Sequence, residues 1–322
     1  FHFTTVQAIS LSEALLKAFK NNPELNAERE NLNVSEEDLK ISRSEFLPSI
    51  TISGSKSSED TDKNTNRSGA ETAVTDVNPK TQSVLIEQKL FQGFAGVASY
   101  KKNKLGLSLA QAKFLKKEQD ILFEAIEAYT GLTFAKEKFD INQTNVNLSE
   151  RQVETDRSRL ERGQITIADV AQSESSLAES QAKLIESEND VLTSKLEYER
   201  VIGILNSTDN LNKNYGLNID VPLSLNQAIE ISKNNSPDLI IAKLEYQQSE
   251  KDIIIAKSDL SPSATLSLES SQTDDLSATV DERDKETVKA TISWPLFKGG
   301  KNFAELKRSK SLKNRKQLLY EY

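Results

Sequence analysis

The side chains able to do chemistry in this chain are almost all carboxylates and primary cations. Among its 322 residues there are 49 Asp and Glu, 41 Lys and Arg, one histidine at His2 and no cysteine. Nucleophilic catalysis needs a hydroxyl or thiol within reach of a base, and a thiolate or imidazole metal site needs its ligands at short, fixed spacings. One histidine and no cysteine assemble neither. No phosphate-cradling GxxxxGK[ST] run and no GxSxG elbow occurs. The carboxylates are spread along stretches of helical character at a density that reads as a solvated face. These residue types point away from an enzyme and imply no cofactor and no metal. A net charge of −8 without a basic stripe gives no reason to expect nucleic acid.

What is patterned in this sequence is polarity, and the pattern occurs twice. Ser10–Ser53 aligns without gaps on Ser224–Ser267, with identities that include Ala14/Ala228, Pro23/Pro237, Leu25/Leu239, Ile41/Ile255, Pro48/Pro262 and Thr51/Thr265. After a loop of different length, Leu90-Phe91-x-Gly93 aligns on Leu296-Phe297-x-Gly299. The chain is therefore an internal duplication, and one unit explains both halves. Residues 9–215 form the first repeat and 216–322 the second, which stops part-way.

Each repeat begins with a short helix ended by Asn and Pro, in "KNNPEL" or "NNSPDL". A second helix follows, roughly Pro23–Phe46 and Pro237–Leu260, closed by Pro48 and Pro262 because proline disfavours helical geometry in the residue before it. Next come segments of period two, about 48–57, 82–92, 262–271 and 286–297. Ile50, Ile52, Val84, Ile86, Leu266, Leu268, Ile292 and Trp294 fall on one side of their strands, opposed by Thr, Ser, Glu and Lys. Two polar loops, Lys56–Lys80 and the stretch around 271–286, separate the members of each pair. Alternation alone fits two hairpins on the helical layer of a soluble protein. Three features favour a membrane: lengths of about 10 residues, long loops at one end with helices at the other, and Phe91, Trp294 and Phe297 at the helix-proximal ends, where an interfacial girdle lies. Pro48, Phe91, Gly93, Pro262, Pro295, Phe297 and Gly299 mark the strand-to-helix junctions.

Between the repeats the pattern becomes helical. From about Ala98 to Leu160 no proline intervenes, and Leu105, Leu109, Ala112, Leu115, Gln119, Leu122, Ile126, Tyr129 and Leu132 recur at spacings of three and four. That is a coiled-coil-like seam on a helix about 90 Å long. It ends at "LERGQITIADV", with Gly163 as C-cap, Thr166 as N-cap and Asp169 near the next helix start. The return helix, about Ala168–Gly203, carries Ala171, Ser175, Ala178 and Ala182 in a stripe that permits close helix packing. The long antiparallel hairpin spans about 95–204.

Composition is consistent with thin elements and no thick core: hydrophobic residues are 36% and aromatics 6%, with only 11 Gly and 7 Pro. No run approaches the ~18–20 apolar residues of a membrane helix, so any crossing of a bilayer must use strands. Four strands cannot close a barrel alone, and open edges in hydrocarbon leave backbone groups unpaired. Copies of the chain must then share one barrel. The chain has no methionine, and Val6-Gln7-Ala8 fits a small-x-Ala cleavage pattern, so residues 1–8 read as a residual signal peptide with Ile9 as mature start.

In their order and duplication, these pieces resemble the TolC family of outer-membrane efflux proteins. The carriers are "LSEALLKAFKNNPEL" with its echo "LSLNQAIEISKNNSPDL", the junctions "FLPSITISG" and "LSPSATLSL", the returns "KLFQGFAG" and "SWPLFKGGK", and "RGQITIADVAQSESSLAESQAKLIESENDV". The resemblance covers nearly the whole chain. It implies a mainly α fold with membrane β: long helices forming an α-barrel, and four strands per chain contributed to a trimeric 12-stranded β-barrel. It further implies a homotrimer in outer-membrane lipid, extending through the periplasm to a periplasmic adaptor (membrane fusion) protein and an inner-membrane ABC or RND-type transporter. By the same match, Gly163, Thr166 and Asp169 form the adaptor-facing tip. In the family a second long hairpin follows the second Leu-Phe-x-Gly-Gly, and this chain stops at Tyr322, part-way into its first helix. Lipid-anchored branches carry an N-terminal cysteine, so its absence leans towards the non-lipidated branch. The rival reading is a periplasmic coiled-coil adaptor or scaffold, which has a long hairpin but no amphipathic strands.

Overall fold

A computed structural model describes residues 9–71, 76–205, 211–212, 221–277 and 280–321. Residues 1–8 lie outside the described residues, and with them the expected signal segment. The element order is α1 (Leu11–Asn21), α2 (Pro23–Ser44), β1 (Ser49–Lys56), β2 (Lys80–Gln92), α3 (Ala95–Glu161), α4 (Ile167–Val201), α5 (Leu225–Asn235), α6 (Pro237–Ser258), β3 (Ser263–Ser277), β4 (Val280–Ser293) and α7 (Lys301–Glu321). Among the described residues no helix is long and apolar enough to cross a membrane. The chain forms two compact units, one from Phe1–Asn31 and Lys113–Asn235, the other from Leu32–Ala112 and Ser236–Tyr322.

The first unit is built on a helical hairpin. Helix α3 has 67 residues and α4 has 35, and they run antiparallel, as their cross-links show: Lys138 Nζ to Asp190 Oδ2 (2.8 Å), Ser149 Oγ with Ser180 Oγ (3.0 Å) and Arg157 Nη2 to Glu174 Oε1 (2.6 Å). At the base of the hairpin α1 lays Leu11, Ala14 and Ala18 against Ile121, Ala125, Ala128, Tyr129 and Leu132 of α3 and Tyr198 and Val201 of α4. Ser10 caps α1 through a capping box with Glu13. Asn22 then serves two helices: its Nδ2 donates to the Val201 carbonyl (3.0 Å), and its Oδ1 accepts from the Glu24 and Leu25 amides that open α2. Asn22 is thus the physical content of the "NNP" break.

Two expectations about the hairpin need correction. Beyond Ala112 and as far as Leu132 the buried positions of α3 are Ile121, Ala125, Ala128, Tyr129 and Leu132: Tyr129 and Leu132 are as expected, Ile121 and Ala125 lie one position off Leu122 and Ile126, and Leu115 and Gln119 are exposed. The helix meets α1 as well as α4, so its buried face is wider and rotated relative to a two-helix seam. The small-residue stripe Ala171, Ser175, Ala178 and Ala182 is exposed, whereas Val170, Ser187, Tyr198 and Val201 are the buried positions of α4.

The second unit carries a four-stranded antiparallel sheet in the order β1-β2-β3-β4. Its two hairpins match in register: Ile50 faces Ile86 and Ile52 faces Val84 in the first, and the equivalent Ala264 faces Ile292 and Leu266 faces Ala290 in the second. The sheet begins where both preceding helices end in the same turn. Phe46 and Leu47 donate to Arg43 and Ser44, and Leu260 and Ser261 donate to Lys257 and Ser258. Helix α7 lies against α6 through the stacked rings of Tyr246 and Tyr320 (6.3 Å between centroids), the Lys316–Glu245 ion pair and Asn302 Nδ2 donating to the Asp259 carbonyl (2.7 Å). Gly106 of α3 comes close enough to α6 that a Cβ there would stand 3.2 Å from Gln248 Nε2, a packing reason for glycine inside a helix.

The strands of the second repeat differ from expectation. β3 and β4 reach Ser277 and start at Val280, so most of the stretch read as a polar loop is paired strand. Its pairs are charged and polar, such as Thr273 with Arg283 and Gln272 with Asp284, and Gln272 Nε2 donates to Glu282 (2.7 Å). Solvated strands need no apolar alternation, so period two could not reveal them. At the other end β4 stops at Ser293, which leaves Trp294, Pro295 and Phe297 beyond the strand that was expected to contain them.

Candidate functional site

The sheet places most of its apolar residues on one side. In an antiparallel pair, residues directly opposite each other point to the same face. The ladder Ile50–Ile86–Leu268–Val288 crosses all four strands, flanked by Ile52–Val84 and Leu266–Ala290 on one face. Seven of the eight expected membrane-facing residues therefore share a face: Ile50, Ile52, Val84, Ile86, Leu266, Leu268 and Ile292. Val288 joins them, and its signal was already present in the alternation. The other face carries Thr51, Leu85, Glu269 and Thr287 in one row and Glu87, Ser267 and Lys289 in the next. The apolar face is open: Ile52 is 79% exposed, Ile292 78% and Val288 74%. Contiguous apolar surface of this kind marks contact with lipid or protein.

Trp294, the eighth residue, sits one position past β4. Its Nε1 donates to the Leu260 carbonyl (3.0 Å) while the ring stays exposed, so its polar group is satisfied and its apolar body is free. Phe91 and Phe94 meet edge-on (5.4 Å) at the end of β2, and Phe297 is exposed at the end of the second hairpin. Aromatics thus gather at the helix-proximal rim, and Phe94 joins the group read from the sequence.

The junction residues divide by role. Pro48 and Pro262 stand between the helix-ending turns and the first residues of β1 and β3. Gly93 and Gly299 have φ of +57° and +59°, the left-handed region that glycine enters without Cβ cost. A Cβ on Gly93 would stand 2.6 Å from Ser261 Cβ and 3.0 Å from the Ser258 backbone; one on Gly299 would meet nothing within 4 Å. Pro295 lies in the non-strand segment between β4 and α7.

At the hairpin tip the structure brings Gly163, Thr166 and Asp169 into one turn. Gly163 donates to the Leu160 carbonyl (2.8 Å) and Gln164 to that of Arg159 (2.9 Å), with Gly163 at φ +71°; this is a Schellman closure of α3. Thr166 then caps α4. Its backbone N–H and its hydroxyl donate to Asp169 Oδ2 (2.8 and 2.7 Å), and the Asp169 amide donates back to Thr166 Oγ1 (3.4 Å). Those bonds from Thr166, with Arg159 nearby, hold the Asp169 carboxyl below its ordinary range. Ile167 projects beside them, 77% exposed. Among the described residues no cluster of His, Asp or Glu is suited to hold a metal ion.

With this geometry in place, similarity to known proteins is informative. The family described as "Outer membrane efflux protein" matches residues 14–203 and 228–322. The outer membrane efflux protein BepC of Brucella suis is 26% identical over 303 residues, covering 94% of this chain and 63% of that protein. The alkaline protease secretion protein AprF of Pseudomonas aeruginosa is 22% identical over 315 residues, covering 94% of this chain and 64% of that one. The chain thus spans slightly under two thirds of the length of these relatives. Among solved structures, the Campylobacter jejuni CmeC outer membrane channel superposes with a TM-score of 0.80 at 16% identity, covering 97% of this chain and 66% of that one. Vibrio cholerae VceC gives 0.79 at 15%, covering 97% and 74%. These structures share the fold: long antiparallel helices with four antiparallel strands per chain. The family match runs through both repeats, including the open sheet and the capped tip, and the chain belongs to the outer membrane efflux protein family.

Proposed function

We propose that the protein is a passive outer-membrane exit duct for efflux or type I secretion. Three copies each contribute four strands to a 12-stranded barrel, and the helices continue it as a periplasmic tube. The observation that carries this reading is the four-stranded sheet with one apolar and one polar face and both outer strands, β1 and β4, unpaired among the described residues. Such a sheet has backbone groups to satisfy at two edges and an apolar face to bury. Closure with copies of itself in lipid accomplishes both. The polar face then lines water, as in barrels that conduct.

The strand face Ile50, Ile52, Val84, Ile86, Leu266, Leu268 and Ile292 contacts outer-membrane lipid. The tip at Gly163, Thr166 and Asp169 is offered to a periplasmic adaptor protein, and an inner-membrane ABC or RND-type transporter supplies the energy. Similarity to AprF, a protease secretion protein, and to BepC, an efflux protein, supports export. An adaptor or scaffold without a membrane barrel leaves the one-sided sheet unexplained.

Conductance tests the proposal. The full-length protein reconstituted in planar bilayers should conduct and favour cations, because a net charge of −8 biases the lumen. Recovery as a soluble periplasmic monomer, or as an oligomer that does not conduct, contradicts it.

A further inference from the structure

We infer that copies of this chain join β4 of one to β1 of the next in a specific register, with Ile292 opposite Gly54, Trp294 opposite Ile52 and Phe297 opposite Ile50. The inference rests on the ring proposed above and deepens it: the chain already contains the same junction once, between β2 and β3.

The two hairpins are equivalent residue by residue. Ile50 and Ile52 correspond to Ala264 and Leu266, and Ile86 and Val84 correspond to Ile292 and Ala290, because these residues make the same pairs. The β2–β3 junction pairs Ile86 with Leu268, Gln88 with Leu266, and Phe91 with Ala264 across a bulge. Replacing each β2 residue by its β4 equivalent, and each β3 residue by its β1 equivalent, gives the three pairs above. All three lie on the apolar face, so the band continues across the seam. A slip of one residue would turn every apolar side chain of β1 to the polar face.

Two features of the lone chain agree. β2 is hydrogen-bonded as far as Gln92, yet β4 ends at Ser293, short of the equivalent residues Trp294 to Lys298. Within the chain, the β2 residues Gln88 to Gln92 are held by Ser263–Leu266 of β3. The corresponding edge for residues 294–298 is Ser49–Ile52, which lies on the outer side of β1 and is available only from another copy. Pro295 falls beside the position of the bulge, where an edge strand tolerates a missing N–H. The glycines tell the same story. Gly93 is packed against Ser258 and Ser261 inside the chain, while Gly299, with the same left-handed backbone, faces open space. Its equivalent partners are Ser44 and Leu47 of the next copy.

These 322 residues have no cysteine, so engineered pairs are read against the same protein without them. In the full-length protein, Ile52→Cys with Trp294→Cys should link copies on mild oxidation into covalent oligomers. Cα atoms directly opposite in a sheet lie within disulfide range. Pairing Trp294→Cys with Ile50→Cys or Gly54→Cys instead should give about tenfold less product, since diagonal neighbours sit ~7–8 Å apart. A second pair outside the apolar band, Ser49→Cys with Lys298→Cys, should also link and guards against a folding defect in the first. If a shifted pair links best, or if neither designed pair links in a protein that native mass measurement shows to be oligomeric, the register is wrong and the ring survives. A wild-type protein that remains monomeric in detergent and lipid removes both.

Discussion

Ile86 of β2 stands directly opposite Leu268 of β3. That contact welds the first repeat to the second, strand to strand, and aligns their apolar residues on one side. A soluble protein would cover such a face with helices. Here Ile50, Ile52, Val288 and Ile292 remain exposed, and the opposite face carries Glu87, Lys89, Glu269 and Lys289.

Charge should therefore be tolerated by face. Ile52→Arg is expected to cost ~2–4 kcal/mol near the bilayer mid-plane, whereas Thr51→Arg on the polar side should cost far less. Urea unfolding of the protein folded into lipid vesicles measures both. Equal costs would show that the faces see the same surroundings.

The glycines of the turns should separate by what surrounds them. Gly163→Ala faces open space and should lose only the left-handed backbone preference, about 1 kcal/mol. Gly93→Ala also forces a Cβ to 2.6 Å from Ser261 Cβ, adding ~1–3 kcal/mol of overpacking. Thermal midpoints of the two variants in detergent should fall in that order.

The tip should loosen in acid. Its carboxylate has a folded-state pKa held below the ordinary value by Thr166, so its contribution is complete above that ordinary value and is lost as pH falls through the folded one. Amide exchange at Ile167–Val170, referenced to Asp169→Asn, should rise below about pH 4. Thr166→Ala should raise it at all pH values, consistent with ~1 kcal/mol for a lost cap. A wild type and Asp169→Asn with the same acid response would refute the assignment.

Two tyrosines at the hairpin base should respond oppositely. The Tyr129 hydroxyl lies 2.8 Å from the Ile9 carbonyl and 2.7 Å from that of Asn212, so Tyr129→Phe should cost about 1 kcal/mol. Tyr198 is buried, its hydroxyl has no hydrogen-bond partner among the described residues, and burial pushes its pKa up to about 12. Tyr198→Phe should be neutral or stabilising. Denaturation followed by helical circular dichroism distinguishes the two.

The sequence showed most clearly those features that local rules impose. Pro48 and Pro262 bounded helices, Gly163 and Thr166 turned the hairpin, and Ile50, Ile52, Ile86 and Leu268 shared a face because strands alternate. What it hid depends on neighbours distant in the chain. The rotation of the α3 stripe to Ile121 and Ala125 is set by α1 packing beside it. The paired residues Gln272–Asp274 and Glu282–Asp284 are polar on both faces, so their only signal is the partner strand. Trp294 and Phe297 read as strand because the alternation of β4 runs on into them, yet β4 ends at Ser293 and no strand of this chain lies beside them.

The central claim is that the Ile50–Ile52–Ile86–Leu268–Ile292 face lies in lipid. Single cysteines placed in turn from Ser49 to Ser55, each carrying a spin label in reconstituted vesicles, test it through accessibility to oxygen and to a water-soluble paramagnet. The account predicts alternation, with positions 50 and 52 reached from lipid and 51 and 53 from water. Uniform access from water along the whole strand would contradict it.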